Sequence, residues 1–286
     1  MLMYRIGTAI ILAALFLVTL FWSSPLVFLG FCLLALIIAA WEWSALSGLK
    51  CNYQRVLFVV VFLALMGAIA WLAGFVDSPV SAGIDSDAFL LTLLFVGVVF
   101  WFCMLVVLFS YPKSQRLLNA SSTRLLFGLI LISVAWASLL YLRYQANGQF
   151  WLLYVVVTVA AADIGAYFFG KLFGSKKLAP AVSPGKTWEG FFGGLLVSQL
   201  FALLLVFYFS TQEQSHLPAL NAFLLVTALL AAVSVLGDLF ESILKRGCGL
   251  KDSGSILPGH GGVLDRLDGL VAALPVFVFI FMIQGW

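Results

Sequence analysis

Residues 220–239 read LNAFLLVTALLAAVSVLGDL, twenty residues without a charge until Asp238. At 1.5 Å per residue such a helix is about 30 Å long, the thickness of a bilayer's hydrocarbon core. Working outward, similar apolar runs occupy 191–209 and 269–286 on either side, and 6–22, 26–43, 56–75, 88–109, 125–144 and 151–169 before them. The composition agrees: 64% of the chain is hydrophobic and 9% charged, against about 25% charged in a soluble domain. The expected fold is therefore all-α, a polytopic transmembrane helix bundle of about nine spans, forming one unit over residues 1–286. The weakest break is Ser23-Ser24-Pro25; were it a kink and not a loop, the count would be eight. The first run follows Arg5 as a signal peptide would, but lacks a small-x-small cleavage site, so it is expected to remain as an anchor.

Nine spans place alternate loops on one side, and basic residues favour the cytoplasmic side. Fourteen of the fifteen Lys and Arg residues then share a side, leaving Arg143 alone on the other. That partition predicts a cytoplasmic amino terminus and multi-pass residence in the inner (plasma) membrane. The net charge of +3 is too small to argue for a nucleic-acid partner. Cys32, Cys51, Cys103 and Cys248 have neither CxxC spacing nor a neighbouring His, and read as small apolar residues.

Eight of the fourteen lie in or beside two long polar loops, within a candidate catalytic region of about 160–270. The first loop, 170–190, reads GKLFGSKKLAPAVSPGKTWEG. Its PGKT invites a P-loop reading, but Pro180 stands where the Walker pattern needs Gly. What remains are phosphate-binding donors: Lys176, Lys177, Lys186, Ser183 and Thr187. The bland alternative is a solvated loop whose lysines set topology. The second loop, about 240–268, has carboxylates at both edges: Asp238 and Glu241 close one span, while Asp265 and Asp268 open the next, each pair three apart on one helix face. Beside them lie Lys245, Arg246, Lys251 and Arg266. Carboxylates at a membrane edge need cations, supplied either by those basic residues in a structural network or by magnesium shared with a substrate phosphate. Glycines around His260 leave the backbone free to approach a ligand, and His260 could be an acid–base group, a phosphate donor or structural. Asp163, in AADIGAY, is expected buried late in the sixth span. Glu42, between Trp41 and Trp43, is ambiguous and could snorkel to the interface.

The stretch 242–268 resembles the signature of the phosphatidate cytidylyltransferases, the membrane enzymes that make CDP-diacylglycerol. Ser242, Lys245, Arg246, Lys251, Asp252, Pro258, His260, Gly261, Gly262, Asp265, Arg266 and Asp268 fill its fixed positions. ADIGAY and SPGKTWEG are also similar to that family. The resemblance implies transfer of CMP from CTP to phosphatidate with release of pyrophosphate, and dependence on magnesium with room for a second cation. It implies Asp238, Asp265 and Asp268 as metal ligands, Lys245, Arg246 and His260 as catalytic groups beside Asp265 and Asp268, and Ser183, Lys186, Thr187, Ser242, Lys251, Arg266 and Asp163 as substrate-binding residues. A homodimer is expected from the resemblance alone. The competing functions are a CTP-dependent lipid kinase, which would move the γ-phosphate, and an ion-coupled secondary transporter, for which no inverted repeat is visible. A CDP-alcohol phosphotransferase signature would start at Asp268-Gly269, but Ala273 stands where it needs Arg.

Overall fold

A computed structural model describes residues 2–75, 84–210 and 217–286, and side chains within 7–75, 87–210 and 217–286. The chain forms α1 (Leu2–Trp22), α2 (Pro25–Leu46), α3 (Asn52–Leu72), α4 (Ile84–Phe109), a short α5 (Gln115–Leu118), α6 (Ser121–Tyr144), α7 (Gly148–Phe173), β1 (Lys177–Ala179), β2 (Ser183–Thr187), α8 (Trp188–Ser210), α9 (Leu220–Gly247) and α10 (Leu264–Gln284). Among the described residues eight helices are long and apolar enough to cross a membrane, and the apolar part of α1, Gly7–Trp22, is a shorter ninth. The protein is an all-α multi-pass membrane bundle.

The Ser23-Ser24-Pro25 break is a turn, not a kink. Ser24 caps α2 by accepting from the Val27 amide, and Pro25 takes the first helical position, where its missing N–H costs nothing. The chain reverses there, so Phe16 and Phe28 meet edge-on at 5.9 Å. Arg143, at the far end of α6, donates to the Ser23 carbonyl and so marks the end of the bundle where α1 turns into α2. The opposite end gathers the starts of α1, α3, α6, α8 and α10 and the ends of α2, α4, α7 and α9. Described side chains of the one-sided basic set sit at this second end, and two of them stitch it together. Arg124 donates to the carbonyls of Leu118 and Leu46 and to Cys248 Sγ. Arg55 lies over the Trp41 ring, its guanidinium carbon 3.9 Å from the centroid. Arg5 of that set, and Asp77, Asp85 and Glu213 of the acidic or neutral loops expected at the other end, lie outside the described side chains.

Two helix pairs position the site through small residues, the usual device where helices approach without a hydrophobic driving force. In the most extensive pair, α7 with α8, a Cβ on Gly194 would lie 2.6 Å from the Ala162 carbonyl, and one on Gly165 would lie 2.6 Å from that of Gly193. In the pair α9 with α10, a Cβ on Gly237 would run into the carbonyl of Asp268. The backbone next to Asp238 therefore abuts the backbone of Asp268.

The first polar loop is not wholly irregular. β1 and β2 form an antiparallel hairpin, Lys177 opposite Thr187 and Ala179 opposite Ser183, closed by a turn with Pro180 in its second position and the Val182 amide donating to Ala179. Its base is clamped by Glu189, which accepts from the Ser175 and Lys176 amides and the Ser175 hydroxyl.

Candidate active site

The hairpin leans onto the end of α9. Lys186 Nζ lies 2.7 Å from Asp238 Oδ2, which joins the two polar loops. Ser242, one turn on, donates to Asp238 Oδ1 at 3.3 Å. Asp163 belongs to the same cluster, within electrostatic range of Asp238, Lys186 and Arg266. It is exposed on α7 and not buried as its position in the span suggests. The reason is local: Ala162 and Gly165 are the residues that pack on α8, and that turns Asp163 away from the pair.

Deeper, Asp268 faces both Glu241 and Asp238, and its Oδ1 accepts from the Gly269 amide at 2.7 Å. Glu241 is 2% exposed, and its carboxyl group abuts that of Asp268 with no N–H or hydroxyl group donating to it. Its one compensating charge is Lys245 Nζ at 3.3 Å, which lies closer, 2.7 Å, to Asp265 Oδ1. Five carboxylates, those of Asp163, Asp238, Glu241, Asp265 and Asp268, thus share Lys186, Lys245 and Arg266. Carboxylates at this density stay ionised together only with a further cation; without one, Glu241 and Asp268 are placed to share a proton.

The three carboxylates expected to hold metal are not equivalent. Asp265 is bound within its own loop, accepting from Lys245 Nζ and from the amides of Ser253 and Gly262. Asp238 is paired with Lys186, while Glu241 and Asp268 face each other with only the shared Lys245 close to Glu241. Among the described residues no three carboxylate, imidazole or thiol groups converge as a closed metal cage. The donor set instead fits magnesium as enzymes of phosphate transfer hold it, by one or two carboxylates with water and substrate phosphate completing the octahedron. The abutting Glu241 and Asp268 carboxyl groups, which can both stay ionised only with a cation between or beside them, are the observation that favours a cation here.

Other expected site residues are placed as follows. Thr187 is buried at the start of α8, and its hydroxyl accepts from the Gly190 amide as a helix cap. His260 shares a 2.6 Å hydrogen bond between Nδ1 and Thr8 Oγ1 of α1. Arg266 donates to the His260 carbonyl and braces the 257–261 turn, in which the Leu257 amide donates to Gly261. Ser183 lies at the start of β2, three residues before Lys186. Arg246 and Lys251 are exposed and take part in none of the ion pairs among the described residues.

Glu42 does not snorkel. It is 2% exposed, and its carboxylate accepts from Ser253 Oγ at 2.9 Å and from the Val263 and Leu264 amides at 3.1 and 2.8 Å. It satisfies the free amides that open α10 and ties the second loop to α2. A Cβ on Gly262 would collide with Glu42 and Ser253, so glycine is what lets the carboxylate in. The fitting signal in the sequence is an acidic residue between two interfacial tryptophans. Its partner could not be read there.

Fold and site together define a multi-pass membrane protein in which one basic end collects carboxylates and ammonium groups, the equipment for handling phosphates with a metal. The chain belongs to the cytidylyltransferase family, whose profile matches residues 3–284. It is similar to the phosphatidate cytidylyltransferase of Pseudomonas aeruginosa, 39% identical over 286 residues that cover 100% of this chain and 99% of the relative. The enzyme of the same name from Haemophilus influenzae is 38% identical over 291 residues, covering 98% and 99%. That of Staphylococcus haemolyticus is 43% identical over 157 residues, covering 54% and 58%. Membership of an enzyme family sets the transporter reading aside.

Proposed function

We infer that this protein is a phosphatidate cytidylyltransferase: it transfers CMP from CTP to phosphatidate, giving CDP-diacylglycerol and pyrophosphate. The observation that carries the reading is the 2.7 Å contact between Lys186 and Asp238, which makes one site of two loops that each bear phosphate-binding chemistry.

In the proposed reaction a phosphate oxygen of phosphatidate attacks the α-phosphorus of CTP, the bond from that phosphorus to the bridging oxygen breaks, and pyrophosphate leaves. With a second pKa of about 6, a phosphate monoester already carries its nucleophilic charge near neutral pH, so no strong base is required. The task is positioning and charge neutralisation. Asp238 and Asp268, supported by Glu241, would hold magnesium, with a second cation as an option; Asp265 sets the loop around them. Bound there, magnesium would neutralise the triphosphate and stabilise the departing pyrophosphate. Lys186, with Ser183 and Ser242 beside it, would receive phosphate oxygens from the hairpin side. Arg246, Lys251 and Arg266, exposed on the second loop, would draw in the nucleotide. Lys245 would act mainly by holding Asp265 and balancing Glu241.

The positive-inside distribution supports a cytoplasmic amino terminus and active site, and bacterial relatives support the plasma membrane as the location. A homodimer is the expected assembly. The test is incubation of purified protein with phosphatidate, magnesium and CTP labelled at either the α- or the γ-phosphorus. Transfer of α-label into lipid is expected. Transfer of γ-label instead would replace this reading with a CTP-dependent lipid kinase.

A further inference from the structure

The hairpin that delivers Lys186 also roofs a cavity of about 450 Å³. Its walls come from Leu108 near the end of α4, Leu178 and Val182 of the hairpin, Phe191 of α8, and Leu236 and Leu239 of α9. No charged residue lines it. Phe109 and Trp188, also at its edge, are 77% and 41% exposed, so the cavity opens on the outer surface of the bundle. Leu239 follows Asp238 directly in α9. The cavity and the Lys186–Asp238 pair are therefore adjoining spaces that share the hairpin and one helix.

We propose that this cavity is the acyl-chain subsite for phosphatidate. The inference rests on the phosphatidate reading and specifies where that lipid sits. A mainly apolar space roofed by the same hairpin that carries Lys186 fits an amphiphile with a hydrocarbon tail and an anionic head. Leu, Val, Ala and Phe side chains make up most of its lining, with Tyr111 and Trp188 the side chains that bring a polar atom, which suits a hydrocarbon chain better than a base edge that needs several convergent polar groups. Its volume is at the small end of ligand sites, which run from about 300 to 1,000 Å³, so it takes one chain and leaves the other in the bilayer. Its opening on the lipid-facing surface allows lateral entry, and its place at the basic end brings the head group level with Lys186.

Filling the cavity tests this. Ala232→Phe does so from α9, and Ala181→Phe does so from the hairpin, where the residue is exposed and the fold is under less strain. Turnover is compared for dipalmitoyl and dioctanoyl phosphatidate in mixed micelles at saturating CTP. The ratio of kcat/KM for the long lipid to that for the short one should fall at least about tenfold in both variants, as when a hydrophobic pocket loses room for methylenes. If both variants leave that ratio unchanged, the cavity does not hold the chain. Should the wild-type protein convert neither lipid, the phosphatidate reading itself fails.

Discussion

Glu42, near the end of α2, accepts a 2.8 Å hydrogen bond from the amide of Leu264, 222 residues later, at the first turn of α10. This contact, with those from Val263 and Ser253, fixes where α10 begins and hence where Asp265 and Asp268 stand. Replacing Glu42 by Ala strands three donors, two of them in buried contacts that cost about 1–3 kcal/mol each. The thermal midpoint in detergent should fall by at least about 5 °C, with a loss of kcat/KM. Glu42→Gln keeps one acceptor oxygen and should fall between. An unchanged midpoint in the Ala variant would remove the clamp from this account.

Lys186 and Asp238 are predicted to act as a unit. Lys186→Ala and Asp238→Asn should each lower kcat/KM by about 100-fold or more, the scale for removing a group that stabilises a charged transition state. The double variant should be little worse than either single one, because contacting groups in one network are not additive. Fully additive losses would mean that the 2.7 Å pair is incidental.

Gly237 has no side chain to offer a ligand, yet a Cβ there would strike the Asp268 backbone carbonyl and come within 2.9 Å of Ala272 Cβ. Gly237→Val should push α9 and α10 apart and cut turnover strongly in protein that still inserts and folds. Gly30, whose Cβ would meet nothing within 4 Å, is the control position, and Gly30→Val should be close to neutral. Equal activity in the two variants would show that the helix contact does not set the carboxylate geometry.

For Thr187 the helix-capping role predicts a stability effect and not a binding effect. Thr187→Ala should cost about 1 kcal/mol, read as a lower unfolding midpoint, while the KM for CTP stays within about threefold. Thr187→Ser, which keeps the hydroxyl, should restore the midpoint. A large rise in KM for CTP would return Thr187 to the substrate.

The helices were legible because a run of apolar residues long enough to span a bilayer has few other uses. Their ends were less so. The run ending near Leu239 extends as α9 to Gly247, because the turns bearing Glu241 and Lys245 are still helical although charged. The hairpin was hidden for the opposite reason: β2 contains Pro184 and Gly185, residues that ordinarily mark a loop. Candidate residues could be named from type and spacing, but not their division of labour. Asp265 and Asp268 sit on the same helical turn, yet one is consumed by amides and Lys245 while the other faces Glu241. That difference arises from how the 253–262 loop folds back. Glu42 was the least legible, since its partners lie in a different polar loop more than 200 residues away.

If the carboxylates around Asp268 hold the magnesium that accompanies CTP, calorimetric titration of CTP into the lipid-free protein will register it. In the wild-type protein magnesium should tighten CTP binding at least about tenfold, a coupling within the usual range, and in Asp268→Asn that increment should vanish while weak metal-independent binding persists. Retention of the full magnesium effect by correctly folded Asp268→Asn would contradict the account.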